Sequence, residues 1–360
     1  MRLGIIGLPQ SGKTTVFNAL TRGNRPTAIS GGRFEVQTAV VHVPDARVDK
    51  LSAMFMPRKT IYAQVVYADI AGLEAETAQA GFSGPLLNQL ATMDGYLHVV
   101  RVFENPLVPH PAGSVNPQRD IATLDGEFML NDMLAVERKL ERLNEDAKKG
   151  IIKDKVLHAQ ELAVFNKLQA ALSAEKPLRD VELTPVEEKL LSSFGLLTRK
   201  PMLVVLNLGD DQTEPALPPY PHAHAGVVTL RGKLEMDIAQ LSPEEAVEFL
   251  KEYGIAEPSL NRMIRLSYDL LGLQSFFTVG EDEVRAWTVR RGATAPEAAG
   301  EIHTDLQKGF IRAEVYSYTD LLAAGGVPEL KAKGKLRLEG KEYGVLDGDI
   351  LNIRFSPPAK

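Results

Sequence analysis

Gly7-Leu8-Pro9-Gln10-Ser11-Gly12-Lys13-Thr14 fits the phosphate-loop pattern G-x-x-x-x-G-K-[ST]. Ahead of it, residues 2–6 read as a short buried strand, and behind it residues 13–20 carry a helical pattern. Strand, glycine turn and helix open an α/β nucleotide-binding fold. The glycines let backbone amides curl around phosphates, and the helix presents its positive end to them. Lys13 supplies charge to the outer phosphates and the Thr14 hydroxyl can ligate magnesium. Gln10, Ser11, Gly12, Lys13, Thr14 and Thr15 are therefore the expected cradle.

Outward from the loop, apolar runs at 63–68, 96–102 and 202–206 have the length and β-branched content of buried strands. They imply a mostly parallel sheet covered by helices. Asp69-Ile70-Ala71-Gly72 follows the first run, where phosphate-loop nucleotidases place a magnesium-linked aspartate and a glycine amide facing the terminal phosphate. Thr14 and Asp69 are thus the expected metal ligands, and Gly72 a phosphate contact. Leu73 stands where many GTPases carry a glutamine that orients water, a task a leucine cannot perform. Asn207-Leu208-Gly209-Asp210 ends the last run, where Asn-Lys-x-Asp would read guanine. Asp210 can accept from both donors on guanine's edge, but Leu208 replaces the flanking lysine and offers an apolar wall instead. Spacing alone leaves the base open.

The chain has 360 residues, 44% hydrophobic and 24% charged, enough for two or three folded units. It has no cysteine, which removes disulfides and thiolate chemistry and suits the cytoplasm. Its opening apolar run is too short for a signal peptide, and no membrane span is expected. A net charge of -6 disfavours DNA over the surface as a whole. Between 124 and 198, Met133, Val136, Leu140 and Leu143 answer Phe165, Leu168 and Leu172 at helical spacing, with a polar stretch at 148–154 between them. That pattern predicts an inserted antiparallel hairpin; two ordinary sheet-covering helices are the plainer alternative. Beyond 276, short β-like runs alternate with turns and suggest a separate α+β module. The predicted divisions are 1–123 with 199–275, then 124–198, then 276–360.

Further runs carry a family resemblance. Arg101-Val102-Phe103-Glu104-Asn105, His110, Val115-Asn116-Pro117, Glu283 to Thr288, Gly292 to Gly300 and the stretch from Ile302 to Val315 resemble the YchF, or Obg-like ATPase, branch of the Obg GTPases. The resemblance implies a Ras-like nucleotidase core, an inserted coiled-coil hairpin and a C-terminal TGS domain of β-grasp type. It also implies ATP rather than GTP as the nucleotide, through Asn-x-x-Glu, with adenine held near Asn207 and the loop from Leu230. A hydrophobic residue at Leu73 and a loop histidine at His110, proposed to help position water, match the family. So does contact with the ribosome or RNA.

The chain also departs from the family. Asp210 stands where the family has Glu, Gln10 where it has Asn, and no threonine falls at the switch position near Arg33, with Thr27, Ser30 and Thr38 nearby. Lys331, Lys333, Lys335, Arg337 and Lys341 form one basic cluster on a candidate strand, either a solvated edge or an RNA contact. The expected activity is slow, magnesium-dependent ATP hydrolysis that drives a conformational switch. A GTP-specific enzyme, or a ribosome or RNA-binding factor with incidental turnover, are the alternatives.

Overall fold

The computed structural model describes residues 1–23, 36–70, 82, 84–213, 215, 220–252, 255 and 257–356. Two compact units emerge, Met1–Val40 with Val66–Leu266, and Val41–Val65 with Ser267–Lys360. The chain begins with β1 (Arg2–Ile6), α1 (Lys13–Thr21), β2 (Val36–His42), α2 (Ala46–Phe55), β3 (Lys59–Ile61), β4 (Gln64–Ile70), α3 (Gly84–Thr92) and β5 (Gly95–Arg101). It continues through α4 (Pro117–Lys149), α5 (Lys155–Ser173), α6 (Pro185–Leu191), β6 (Met202–Asn207), β7 (Ala225–Leu230), α7 (Gly232–Ala239), α8 (Pro243–Glu252) and α9 (Ser259–Leu270). The remainder is β8 (Leu273–Val279), β9 (Glu283–Arg290), α10 (Ala295–Ile302), α11 (Thr304–Lys308), β10 (Phe310–Ser317), α12 (Tyr318–Ala324), α13 (Val327–Ala332), β11 (Arg337–Glu339) and β12 (Asp349–Phe355).

The first sheet has the order β2-β4-β1-β5-β6-β7, and β1–β4, β1–β5, β5–β6 and β6–β7 pair in parallel. This is the expected α/β architecture. Every residue of β5 is buried, as a parallel strand covered on both faces should be. Strand order reverses across β1, between β4 and β5, so the carboxyl end of β1 is the switch point where such sheets bind ligands.

Asn116 caps α4, accepting from Arg119 N at 3.0 Å, and Pro117 opens the helix. The helix then serves two cores. Its Leu124 and Phe128 pack with Phe82, Tyr96 and Met202 against the sheet, while Val136, Leu140 and Leu143 pack with Val164, Phe165, Leu168 and Leu172. Lys139 Nζ meets Glu161 at 2.8 Å, and His158 Nε2 lies 3.0 Å from Leu143 O. Those pairings run in opposite directions along the two helices, so α4 and α5 are antiparallel.

In the second unit the sheet order is β11-β10-β12-β8-β9-β3. Phe276, Phe310, Val315 and Leu351 pack under Ala295, Ala298 and Ala299 of α10. Residues 41–65 join this unit because β3 adds in parallel to β9, and because Arg47 is shared by Asp45 and, at 2.7 Å, Asp347. The basic cluster does not lie on one strand. Lys331 is in α13, Lys333 and Lys335 lie between α13 and β11, and only Arg337 is in β11. Alternation along a strand is therefore replaced by exposed charges on a helix end and turn. Lys335 faces Asp320 at 3.5 Å, and Arg337 faces Glu339 at 3.3 Å.

Candidate nucleotide-binding site

β1 delivers the phosphate loop to the switch point. Gly7 and Gly12 have φ of 149° and 94°, and a Cβ on them would fall 2.3 Å from Val99 O and 2.2 Å from Asn207 Nδ2. Both glycines are thus required by the close approach of β5 and β6. Gly12 caps α1 in the left-handed conformation without a side-chain bond to the helix start, so the first-turn amides point toward the loop. Lys13 is buried, and its Nζ donates to Gly7 O at 3.1 Å and Leu8 O at 3.0 Å. The backbone holds its charge across the loop.

Thr14 Oγ1 donates to Asp69 Oδ2 at 3.2 Å. Asp69 stands near the end of β4, in register with Ile5 at the end of β1, which brings the two residues together across 55 positions of sequence. A hydroxyl and a carboxylate this close are hard oxygen donors that suit Mg2+. Thr15 follows on α1, half-buried. Ser11 Oγ and Gln10 Oε1 are buried with no hydrogen-bond partner among the described residues, polar capacity that a bound group would use.

Asn207 is buried with both ends of its amide engaged. Nδ2 donates to Ser11 O and Oδ1 accepts from Gly232 N, each at 3.0 Å. It braces the phosphate loop against the start of α7. Leu208 is 2% exposed and packs with Val100, Val102, Val204 and Leu206, while its N donates to Leu230 O at 2.8 Å. Its side chain therefore belongs to the core, and the apolar wall expected from the sequence is not formed by it. Leu230 is buried beside it, and Asp210 is exposed. Gln212 shapes the same loop: Oε1 accepts from Gly209 N and Nε2 donates to Val102 O, both at 3.0 Å, and Arg231 donates to Gln212 O at 2.9 Å.

His110 is buried. Its Nε2 lies 3.0 Å from Asp120 Oδ2, and Nδ1 accepts from Ala112 N at 3.1 Å. Neighbouring His98, on β5, is fully buried and neither ring nitrogen has a hydrogen-bond partner among the described residues. Burial, with the charges of Lys13 and Arg179, pushes its pKa down to about 3, so the ring is neutral.

Two family models match the chain: one described as 50S ribosome-binding GTPase over 2–167, and the YchF GTPase C-terminal domain, described as a protein of unknown function, over 273–356. The chain is 41% identical to the Ribosome-binding ATPase YchF of Bacillus subtilis (strain 168), with 98% of each covered. It is 34% identical to Obg-like ATPase 1 of Oryza sativa subsp. japonica, covering 99% of this chain and 92% of that protein. The structure of the Schizosaccharomyces pombe YchF GTPase superposes with a TM-score of 0.85 at 30% identity, covering 98% of this chain and 97% of that one. The chain belongs to the YchF family.

In this YchF chain, Gly72 and Leu73 lie outside the described residues, as do Thr27, Ser30 and Arg33; Thr38 is an exposed residue of β2. Among the cradle residues and expected metal ligands, the fold brings Gln10, Ser11, Gly12, Lys13, Thr14, Asp69 and Asn207 together. Sequence reasoning missed Asp120, which meets His110 ten residues away, and Gln212 and Arg231, whose contacts to Val102 and to each other span longer stretches of chain. His98 had a signal, a titratable residue in the middle of a largely apolar buried strand.

Proposed function

We propose that the chain is a magnesium-dependent nucleoside triphosphate hydrolase that prefers ATP to GTP and works as a slow conformational switch on the ribosome or an RNA-associated partner. The observation that carries this reading is the cradle: Lys13 held by Gly7 and Leu8 carbonyls, with Thr14 and Asp69 converging 3.2 Å apart. Lys13 and the first amides of α1 bind the phosphates, and Thr14 with Asp69 would hold Mg2+. Bound there, magnesium neutralises charge that develops on the transferring phosphoryl group. With leucine at position 73, the role of orienting water passes to His110, and low turnover is what a missing glutamine predicts.

ATP is favoured by the relatives named as ATPases and by Asp210, which is exposed and can turn to solvent when adenine is bound. GTP is the second reading, favoured by that same aspartate at the position that reads guanine. Ribosome contact is drawn from the relatives' names, with the exposed cations near Lys331 and the hairpin as candidate surfaces. Among the described residues no helix is long and apolar enough to cross a membrane; a cytoplasmic location is part of the proposal.

Titration calorimetry of ATP and GTP with magnesium decides the base. Tighter ATP binding supports the reading, and GTP binding tighter by about tenfold or more means that Asp210 reads guanine directly.

A further inference from the structure

Behind the phosphate loop, Ser11, His98, Arg101, His110 and Asp120 surround a packing gap that leaves no room for a water molecule. His110 is fixed there from every side. A donor faces Nδ1, the Ala112 N–H at 3.1 Å. A backbone N–H only donates, so Nδ1 carries the lone pair and Nε2 carries the proton, which it donates to Asp120 Oδ2 at 3.0 Å. Arg119 also clamps the other carboxylate oxygen, Nε and Nη2 donating to Asp120 Oδ1 at 2.9 and 2.8 Å. The loop itself is tied down by Arg101, which donates to Phe103 O at 3.1 Å and Val108 O at 2.7 Å.

This arrangement is the reverse of a histidine primed by a carboxylate. In a catalytic triad the carboxylate takes one ring N–H and leaves the other nitrogen open to the reacting group. Here the carboxylate takes the N–H while a backbone amide covers the remaining lone pair. Neither nitrogen can serve a water molecule, and the side chain is 3% exposed.

We propose that Asp120 is a positioning residue that withholds His110, so that hydrolysis requires this pair to part. The inference rests on the role proposed above for His110. Asp120 sits in the first turn of α4, the first helix of the hairpin, so displacement of that turn withdraws the carboxylate from the ring.

The test uses the full-length chain and four variants: Asp120→Ala, Asp120→Asn, His110→Ala, and Asp120→Ala combined with His110→Ala. Asp120→Ala is expected to raise kcat for ATP by about threefold or more with KM changed less than about twofold. Site-resolved labelling with diethyl pyrocarbonate should then show His110 modified several times faster than in the parent chain. Asp120→Asn keeps an acceptor for the Nε2 proton but loses the ion pair with Arg119, so it should show a smaller rise, and it carries the same readouts if the alanine variant does not fold. An unchanged or lowered kcat in a folded Asp120 variant overturns the proposal, as does a rise that persists in the double variant. A kcat unchanged by His110→Ala alone is a different failure: it removes the role of His110 itself.

Discussion

Two buried polar clusters in the first unit make an instructive pair. At the root of the hairpin, Asp132 accepts from Leu197 N at 2.7 Å, Thr198 N at 2.7 Å and Thr198 Oγ1 at 2.6 Å, and Leu178 N donates to Thr198 Oγ1 at 3.1 Å. Arg179 and Tyr220 extend this cluster to Asp125, with Tyr220 Oη donating to Asp125 at 2.6 Å, and Arg179 Nη2 is the one buried atom of these residues without a hydrogen-bond partner among the described residues. Behind the phosphate loop, by contrast, Ser11 Oγ, both nitrogens of His98 and Arg101 Nη1 have no hydrogen-bond partner among the described residues. A buried network with nearly every group satisfied fixes a structure, whereas a concentration of unsatisfied buried groups marks a place where ligand or motion completes the bonding. The root is built for stability and the loop for function.

The sharpest way to break that contrast is to damage each cluster and read both stability and binding. Asp132→Ala strands three buried donors and should cost about 3 kcal/mol of unfolding free energy, measured by urea denaturation, with ATP affinity of the folded fraction unchanged. Lys13→Ala should do the opposite, weakening ATP binding by at least about 2 kcal/mol, roughly thirtyfold in Kd, with little change in the urea midpoint. A folded Lys13→Ala protein with parental affinity would remove the phosphate-loop assignment.

The clusters should also titrate in opposite directions. His98 is held down at about 3 by burial, so the unfolded chain takes up that proton first and stability falls as pH drops from about 6.5 toward 3. Asp132 is raised to about 6, burial outweighing its hydrogen bonds from Thr198 and Leu197. Its folded carboxyl keeps the proton longer than the unfolded one, so stability falls as pH rises from about 4 to 6. Between pH 6 and 4, His98→Leu should therefore lessen the acid-induced loss by about 2 kcal/mol, and Asp132→Asn should deepen it by a similar or smaller amount. Parallel pH curves for the parent and both variants would refute the opposition.

The smallest effect is expected far from both clusters. Replacing 142–159 at the hairpin tip by a short glycine-serine linker should change ATP affinity by less than about 0.5 kcal/mol, because Leu143 at that end packs in the hairpin's own core and not in the core of the sheet. Cutting at 124 and 198 instead removes Leu124, Phe128 and Leu197 from the core of the sheet and should prevent folding, as read by circular dichroism. Survival of the longer deletion would mean that the root cluster is dispensable.

The hairpin shows how far the sequence could be read. The heptad-like spacing of Val136, Leu140 and Leu143 against Phe165, Leu168 and Leu172 revealed two helices, and these residues do form their seam. Their beginning was harder to place. Asn116 and Pro117 are a sound start signal, but whether the first turns of α4 cover the sheet or project from it depends on what Leu124 and Phe128 meet. Residues 41–65 were equally opaque, since β3 is three residues long and pairs with a strand more than 200 positions away.

By itself the sequence determined the phosphate loop, the aspartate that ends the buried run after it and the α/β pattern that presents them. These depend on local spacing, on glycine's freedom and on the period of apolar residues, all of which are written along the chain. Tertiary structure alone decided that Asn207 braces Ser11 and Gly232, that Leu208 turns into the core, and that Asp120 and Ala112 occupy both nitrogens of His110. Each outcome is set by which groups the fold brings within hydrogen-bonding distance and by the cost of leaving a buried polar group unpaired. Apart from the Ala112 bond to His110, two residues away, none of these is encoded in neighbouring residues.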